Sequence, residues 1–392
     1  MADFRSIDAA FTQAVETKTM PGIVAMAAND KGVIYEGAFG KRDLSTNTPM
    51  TRDSVVWIAS MTKAITAAAA MQLVEQGKLS LEQPASATVP ELGSAQVLEG
   101  FDTGGKPILR PPKRPITLRH LLTHTAGFSY EIWRPEIARY QAATGTPGIT
   151  TCTNAALTTP LLFDPGDRWD YGINIDWAGK MVEAASGSNL DRYLKDNILR
   201  PLGMHDTSFK LSPSQRLRLA RIHQRDDKGT LTAVDLELPQ EPEFYMGGGG
   251  LYGTAGDYLN FTRMILQGGT LNGTQVLRRE TVDLMAQNHI GPLEVGPLKT
   301  AIPSLSNDVE LFPGMSKKWG LSFLINTQDA PGARSAGSLA WAGLANTYFW
   351  IDRTRSVTGV FLSQVLPFAD ETALGLFAKL ETEVYRGLQL PA

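Results

Sequence analysis

The sequence predicts an α/β fold of the α+β type. One antiparallel sheet is drawn from both termini, flanked by N- and C-terminal helices, with a mainly helical second domain. Three observations predict it. Strand-like apolar runs cluster near the two ends of the chain, the stretch from about 80 to 210 carries short helical patterns between Pro- and Gly-rich loops, and an amphipathic helix is written at each end. The domain boundaries that follow are 1–79 with 211–392 for the sheet-bearing domain and 80–210 for the helical one, with a cleft between them.

Taken in order, Phe4, Ile7, Phe11 and Ala14 fall on one helical face. "GIVAMAA" and "VIYEGAFG" are apolar runs separated by "NDKG", a hairpin signal, and "SVVWIA" is a further short extended segment. Residues 60–76 read as a helix stopped by Gly77. "LEGFDTGGKPILRPPKRP" reads as an exposed hairpin or loop, and helical patterns follow in "TLRHLLTHTAG", "NIDWAGKMVEAASG" and "LDRYLKDNIL". After "EFYMGGGGLYGT" come helical "AGDYLNFTRMIL" and "RRETVDLMAQ", then strand-like "KWGLSFLI", "RSAGSLAWAG", "ANTYFWI" and "SVTGVFLSQV". A last amphipathic helix carries Leu374, Phe377, Leu380 and Val384.

Composition narrows the function classes. With 392 residues, 43% hydrophobic and 20% charged, the chain is an ordinary globular protein with room for a large core. A net charge of -3 gives no reason to expect nucleic acid or an anionic membrane as partner. The one cysteine, Cys152, excludes an intrachain disulfide. The N-terminus lacks a signal-peptide layout and no uncharged run reaches spanning length, so a cytoplasmic protein is expected. The five histidines show no metal-ligand spacing, and neither a nucleotide-binding glycine loop nor a G-x-S-x-G elbow is present. No metal and no cofactor is expected.

The chemistry-bearing motif is Ser60-Met61-Thr62-Lys63 in "VVWIASMTKAITAAAAMQL". On a helix, i and i+3 side chains lie about 5–6 Å apart, so the lysine reaches the serine hydroxyl. A serine at a helix N-terminus also has free backbone N–H groups and a favourable dipole for developing negative charge. Lysine at about 10.4 is useless as a base in water, but burial disfavours its charged form. The alanines Ala67–Ala70 imply the tight packing that would bury it. Roughly one serine in twenty has such a lysine by chance, so context has to decide between a nucleophile with its base and a solvated lysine. Two further pieces supply context: Tyr171 in "DPGDRWDYGIN", at a loop–helix junction, and Trp341-Ala342-Gly343 ending a strand-like run, with Gly343 permitting close backbone approach to a ligand. Each has a plain alternative, a packed aromatic anchor in the first case and a core tryptophan before a turn in the second. Phe128, Tyr130 and Trp133 either line a pocket entrance or form a packed loop, and His124 reads as a structural helix-end residue.

S-x-x-K, then the tyrosine motif, then W-x-G, in this order, resemble the family VIII carboxylesterases. That family shares the fold of class C β-lactamases and D-Ala-D-Ala peptidases. The resemblance spans nearly the whole chain, including "ITLRHLLTHTAGF" and "NILRPLGMHDT". It implies a β-lactamase/transpeptidase-like fold with Ser60 as nucleophile, Lys63 as general base and Tyr171 as the proton shuttle to the leaving group. The backbone N–H groups of Ser60 and Leu344 would form the oxyanion hole. Two departures matter. The asparagine of Y-x-N sits one place late, at Asn174, and the lysine of K-T-G is replaced by Trp341. Tryptophan supplies apolar contact where a β-lactam or peptide carboxylate wants positive charge, which favours a neutral ester. The glycine run 247–250 is placed along the pocket wall by the same comparison, or is a flexible turn. The expected substrate-binding residues are therefore Trp341, Gly343, Gly249, Tyr130 and Asn174.

The implied activity is hydrolysis of short-chain carboxylic esters, a small-molecule substrate, by a monomer or small homo-oligomer. A β-lactamase or D-amino-acyl peptidase with incidental esterase activity keeps the fold and the nucleophile, and an acyltransferase shares every motif. A non-catalytic binding relative would be expected to have lost Ser60, Lys63 or Tyr171, and none is lost.

Overall fold

In the computed structural model, residues 4–388 are described. An eight-stranded antiparallel sheet forms the frame, in the order Lys317–Trp319, Leu324–Asn326, Leu339–Gly343, Thr347–Asp352, Val357–Leu362, Gly22–Asn29, Val33–Asp43 and Thr48–Pro49. The two ends of the chain meet in its middle, where Val24 to Asn29 pair antiparallel with Leu362 to Val357. No strand between residues 80 and 210 joins this sheet; that stretch holds helices, short turns and the hairpin Val97–Phe101 with Pro107–Arg110.

The central strands are apolar on both faces because both are covered. Successive residues of a strand point to opposite sides. Tyr348 stacks on Phe377 of the C-terminal helix Glu371–Gly387, with ring centroids 4.9 Å apart, while Phe349 meets Tyr258 of the helix Ala255–Leu266 at 5.2 Å. The N-terminal helix Arg5–Glu16 buries Ile7, Phe11 and Ala14, and Phe11 touches Phe361 and Phe39 of the sheet. The result is a three-layer arrangement with the terminal helices on one face.

The helix Thr62–Glu75 has a different character. Every residue from Thr62 to Leu73 is buried, lysine included, because small alanines let neighbours close in on all sides. It packs against the helix Asn174–Ser186. Among the described residues no helix is long and apolar enough to cross a membrane, and no cluster of three metal-type ligands occurs.

Candidate active site

The segment leading to Ser60 is bolted in place before the helix begins. Trp57 donates its backbone N–H to Gln364 Oε1 (3.0 Å), accepts from Gln364 Nε2 (3.0 Å), and donates its indole N–H to the Gly249 carbonyl (2.7 Å). Ala59 then takes a left-handed conformation, φ +46°. For a residue with a Cβ this stores about 1–3 kcal/mol of strain, held by the surrounding bonds. A single 3₁₀ turn, Ala59–Met61, carries Ser60 into the start of the helix.

Lys63 is fully buried and makes three contacts: Ser60 Oγ at 3.2 Å, Tyr130 Oη at 3.0 Å and the Gly248 carbonyl at 2.6 Å. Burial lowers its pKa to about 7, and the Asp176 carboxylate opposes that fall. A neutral amine has two N–H donors and one lone pair. A carbonyl only accepts, so Gly248 fixes one proton. Tyr130 Oη and Ser60 Oγ are the amine's other two acceptors, and loss of one proton from the ammonium turns a lone pair toward one of these two hydroxyls. Tyr171 is buried too, and its pKa is pushed up chiefly by burial, so it stays protonated. Its oxygen accepts from Trp341 Nε1 at 3.0 Å, and Tyr171 lines the same cavity as Ser60. An indole only donates, so the phenol's own proton is not used in that bond.

A cavity of about 220 Å³ opens at this cluster, lined by Ser60, Trp57, Tyr130, Trp133, Tyr171, Ile149, Met246, Gly248, Gly249 and Leu344 among others, mostly apolar. Its lining includes the carboxylates Glu131 and Glu237 but no lysine or arginine. A larger cavity of about 780 Å³, between Gln96, Phe128, Trp177 and Lys180, contains none of Ser60, Lys63 or Tyr171. The smaller one is where the reactive groups converge.

The remaining sequence-predicted residues divide. Tyr130, Gly249 and Leu344 line the cavity. Three others lie elsewhere. Asn174 does not face the cavity: it is fully buried and donates to His124 Nδ1 (3.0 Å) and the Phe128 carbonyl (3.1 Å). One residue along a helix turns a side chain by roughly 100°, which carries an asparagine shifted by one place away from the lysine. Trp341 is a support rather than a wall, wedged between Tyr171 (4.9 Å between centroids) and Trp319 (4.6 Å). Gly343 does permit a close backbone approach, but the partner is protein: a Cβ there would sit 2.3 Å from both the Ile58 carbonyl and Thr347 Oγ1.

Residues 7–382 match the family described as Beta-lactamase. The chain belongs to that family. Within it, the chain is 33% identical to the lovastatin esterase of Penicillium rubens, over 97% of this chain and 98% of the relative. It is 32% identical to the monacolin J acid methylbutanoyltransferase of Aspergillus terreus, over 98% and 96%. Unliganded simvastatin synthase (LovD) from Aspergillus terreus superposes with a TM-score of 0.85 at 31% identity, covering 99% of each chain. The β-lactamase-family fold expected from the motifs is thereby shown, with esterases and acyltransferases among the similar proteins.

Three contacts in the Lys63 environment escape sequence reasoning. Gly248 acts through its backbone carbonyl, which leaves no signature beyond a glycine run. Tyr130 is expected from the sequence as a substrate-binding residue, but the contact of its hydroxyl with the lysine is not. Asp176 reads as an ordinary acidic residue in a helix's first turn, yet it is fully buried and accepts from the Gly248 N–H at 2.8 Å. His124, held neutral by burial and then by the Lys63 charge, packs its ring 4.7 Å from Tyr171.

Proposed function

We propose that the protein is a serine esterase that cleaves short-chain carboxylic esters of neutral character through an acyl-enzyme on Ser60, in the manner of the family VIII carboxylesterases. The observation that carries this is the fully buried Lys63 with its amine 3.2 Å from Ser60 Oγ. In acylation the Ser60 proton passes to the Lys63 amine as Oγ attacks the ester carbonyl. Backbone N–H groups of Ser60 and Leu344 would receive the oxyanion. Collapse of the tetrahedral species breaks the C–O bond, and the leaving alkoxide takes the Tyr171 proton; Lys63 then returns a proton to Tyr171. Water repeats the sequence on the acyl-enzyme and restores Ser60. The absence of lysine and arginine from the cavity lining, with Trp341 behind Tyr171, supports an ester over a β-lactam or peptide carboxylate.

A second reading, acyl transfer to an alcohol other than water, is favoured by one specific finding: relatives matched over nearly their full length carry methylbutanoyltransferase names. Both readings share the acyl-enzyme and differ only in what clears it. The test is Ser60→Ala against wild type with p-nitrophenyl butyrate, a chromogenic cephalosporin, and the ester in the presence of an added alcohol. Loss of ester turnover in Ser60→Ala is expected, with the cephalosporin a poor substrate of wild type. Wild-type activity in Ser60→Ala, or a clear cephalosporin preference, overturns the esterase reading. Faster product release with alcohol, and a new ester among the products, selects the transferase.

A further inference from the structure

Asp176 is a fully buried carboxylate in contact with the Lys63 environment that the proposed mechanism leaves without a task. Its Oδ1 accepts from the Gly248 N–H at 2.8 Å, and the carbonyl of the same glycine accepts from Lys63 Nζ at 2.6 Å. One residue therefore joins the carboxylate to the lysine, bonded at its N–H on one side and at its C=O on the other. Its other oxygen, Oδ2, is buried with no protein partner. A Cβ on Gly248 would sit 2.5 Å from that oxygen, so only glycine allows the approach. A full carboxylate is costly to bury with one oxygen unpaired. Its position, one glycine from the lysine, gives that cost a purpose.

We infer that Asp176 is a positioning residue for Lys63, holding the Gly248 carbonyl on one lysine proton and tethering the lysine electrostatically through that glycine. This rests on the reading of Lys63 as the base for Ser60. Without the carboxylate, burial alone would drive the lysine lower and leave a weaker base. The other groups facing the pair add no competing charge. Tyr130 and Tyr171 keep their protons because burial raises both phenols, His124 is kept neutral, and the Cys152 thiol is pushed up by burial and by Asp176 itself.

The test compares Asp176→Asn and Asp176→Ala with wild type, reading the pH profile of kcat/KM on p-nitrophenyl butyrate and the labelling of Ser60 by a fluorophosphonate. Asparagine retains an oxygen to accept from Gly248 but removes the charge; alanine removes both. In Asp176→Asn the acid limb should move to lower pH by about one to three units, the effect of removing a nearby opposite charge, with a lower plateau. Asp176→Ala should share the shifted limb and lose a further tenfold or more on the plateau. An unmoved limb in a folded, probe-labelled Asp176→Asn overturns the inference, as does a plateau in Asp176→Ala equal to that of Asp176→Asn. If the alanine variant does not fold, the limb of Asp176→Asn decides. Failure of the underlying reading looks different: Ser60→Ala would stay active, or wild type would not be labelled at Ser60.

Discussion

The burial of Lys63 can be turned into a rate. An ordinary lysine titrates at 10.5, and here burial, partly countered by Asp176, brings the side chain to about 7. At pH 7 about half of the Lys63 population is then neutral, against roughly one in 3,000 for an exposed lysine, so the fold supplies about three orders of magnitude in available base. Acylation should therefore fall about tenfold for each pH unit below 7 and level off above about 8. Tyr171 imposes no basic limb in this range because its proton is held well above the ordinary phenol value. The assay is single-turnover release of p-nitrophenol from a neutral ester between pH 5 and 9, with Ser60→Ala as blank. A rate flat from pH 5 to 8, or a limb near the ordinary carboxylate range, would refute lysine as the base. The same burial has a cost in stability with a definite sign. Because the folded lysine binds its proton less tightly than the unfolded one, stability rises with pH from about 7 to 10.5. Asp176 is raised by burial from 3.8 to about 6, so its contribution is lost as pH rises through that window. The pair thus weighs most against folding between pH 6 and 7. A Lys63→Met/Asp176→Asn double variant should gain most over wild type there in urea unfolding.

Two further substitutions test the supports. Trp341→Phe keeps a ring against Tyr171 and Trp319 but removes the indole donor from Tyr171 Oη; loss of one hydrogen bond of about 1–1.5 kcal/mol predicts a several-fold to tenfold fall in kcat with little change in Tm, and an unchanged kcat would show that the bond does not set the phenol. Gly343→Ala places a methyl 2.3 Å from the Ile58 carbonyl, two residues before Ser60; overpacking should cost about 1–3 kcal/mol in urea unfolding and slow acylation as the turn shifts, whereas neutrality in both would mean the strand yields freely.

The legible part of this molecule is the part written in side chains at fixed spacing. Ser60 and Lys63 are i and i+3 across the turn that starts a buried helix, and that spacing needs no tertiary knowledge. The sheet was equally legible, since apolar runs at both ends of the chain have few places to go but beside each other. What the sequence hid is of two kinds. Backbone groups carry no letter code, so the Gly248 carbonyl on Lys63 is invisible before folding. Gly343 shows the same limit from the other side, because a glycine announces that something comes close but not what. The second kind is rotation: Asn174 sits one place from the expected spacing, and that turns it onto His124 instead of the lysine.

Two phenols flank Lys63, and distance alone would move the proposed proton-shuttle role from Tyr171 to Tyr130. Tyr130 Oη is 3.0 Å from Nζ, whereas Tyr171 meets the amine with its ring, Nζ lying 4.6 Å from the centroid. The bonding inventory reverses the ranking. Tyr130 serves as an acceptor for a lysine proton, which orients the amine and does nothing for a leaving group. Tyr171 has one lone pair filled by an obligate donor, Trp341 Nε1, so its own proton has to point elsewhere, and it shares the cavity wall with Ser60. The tryptophan that stands where a lysine would read a carboxylate therefore has a second consequence besides apolarity. On the proposed mechanism, it favours Tyr171 over Tyr130 as the tyrosine that gives its proton away.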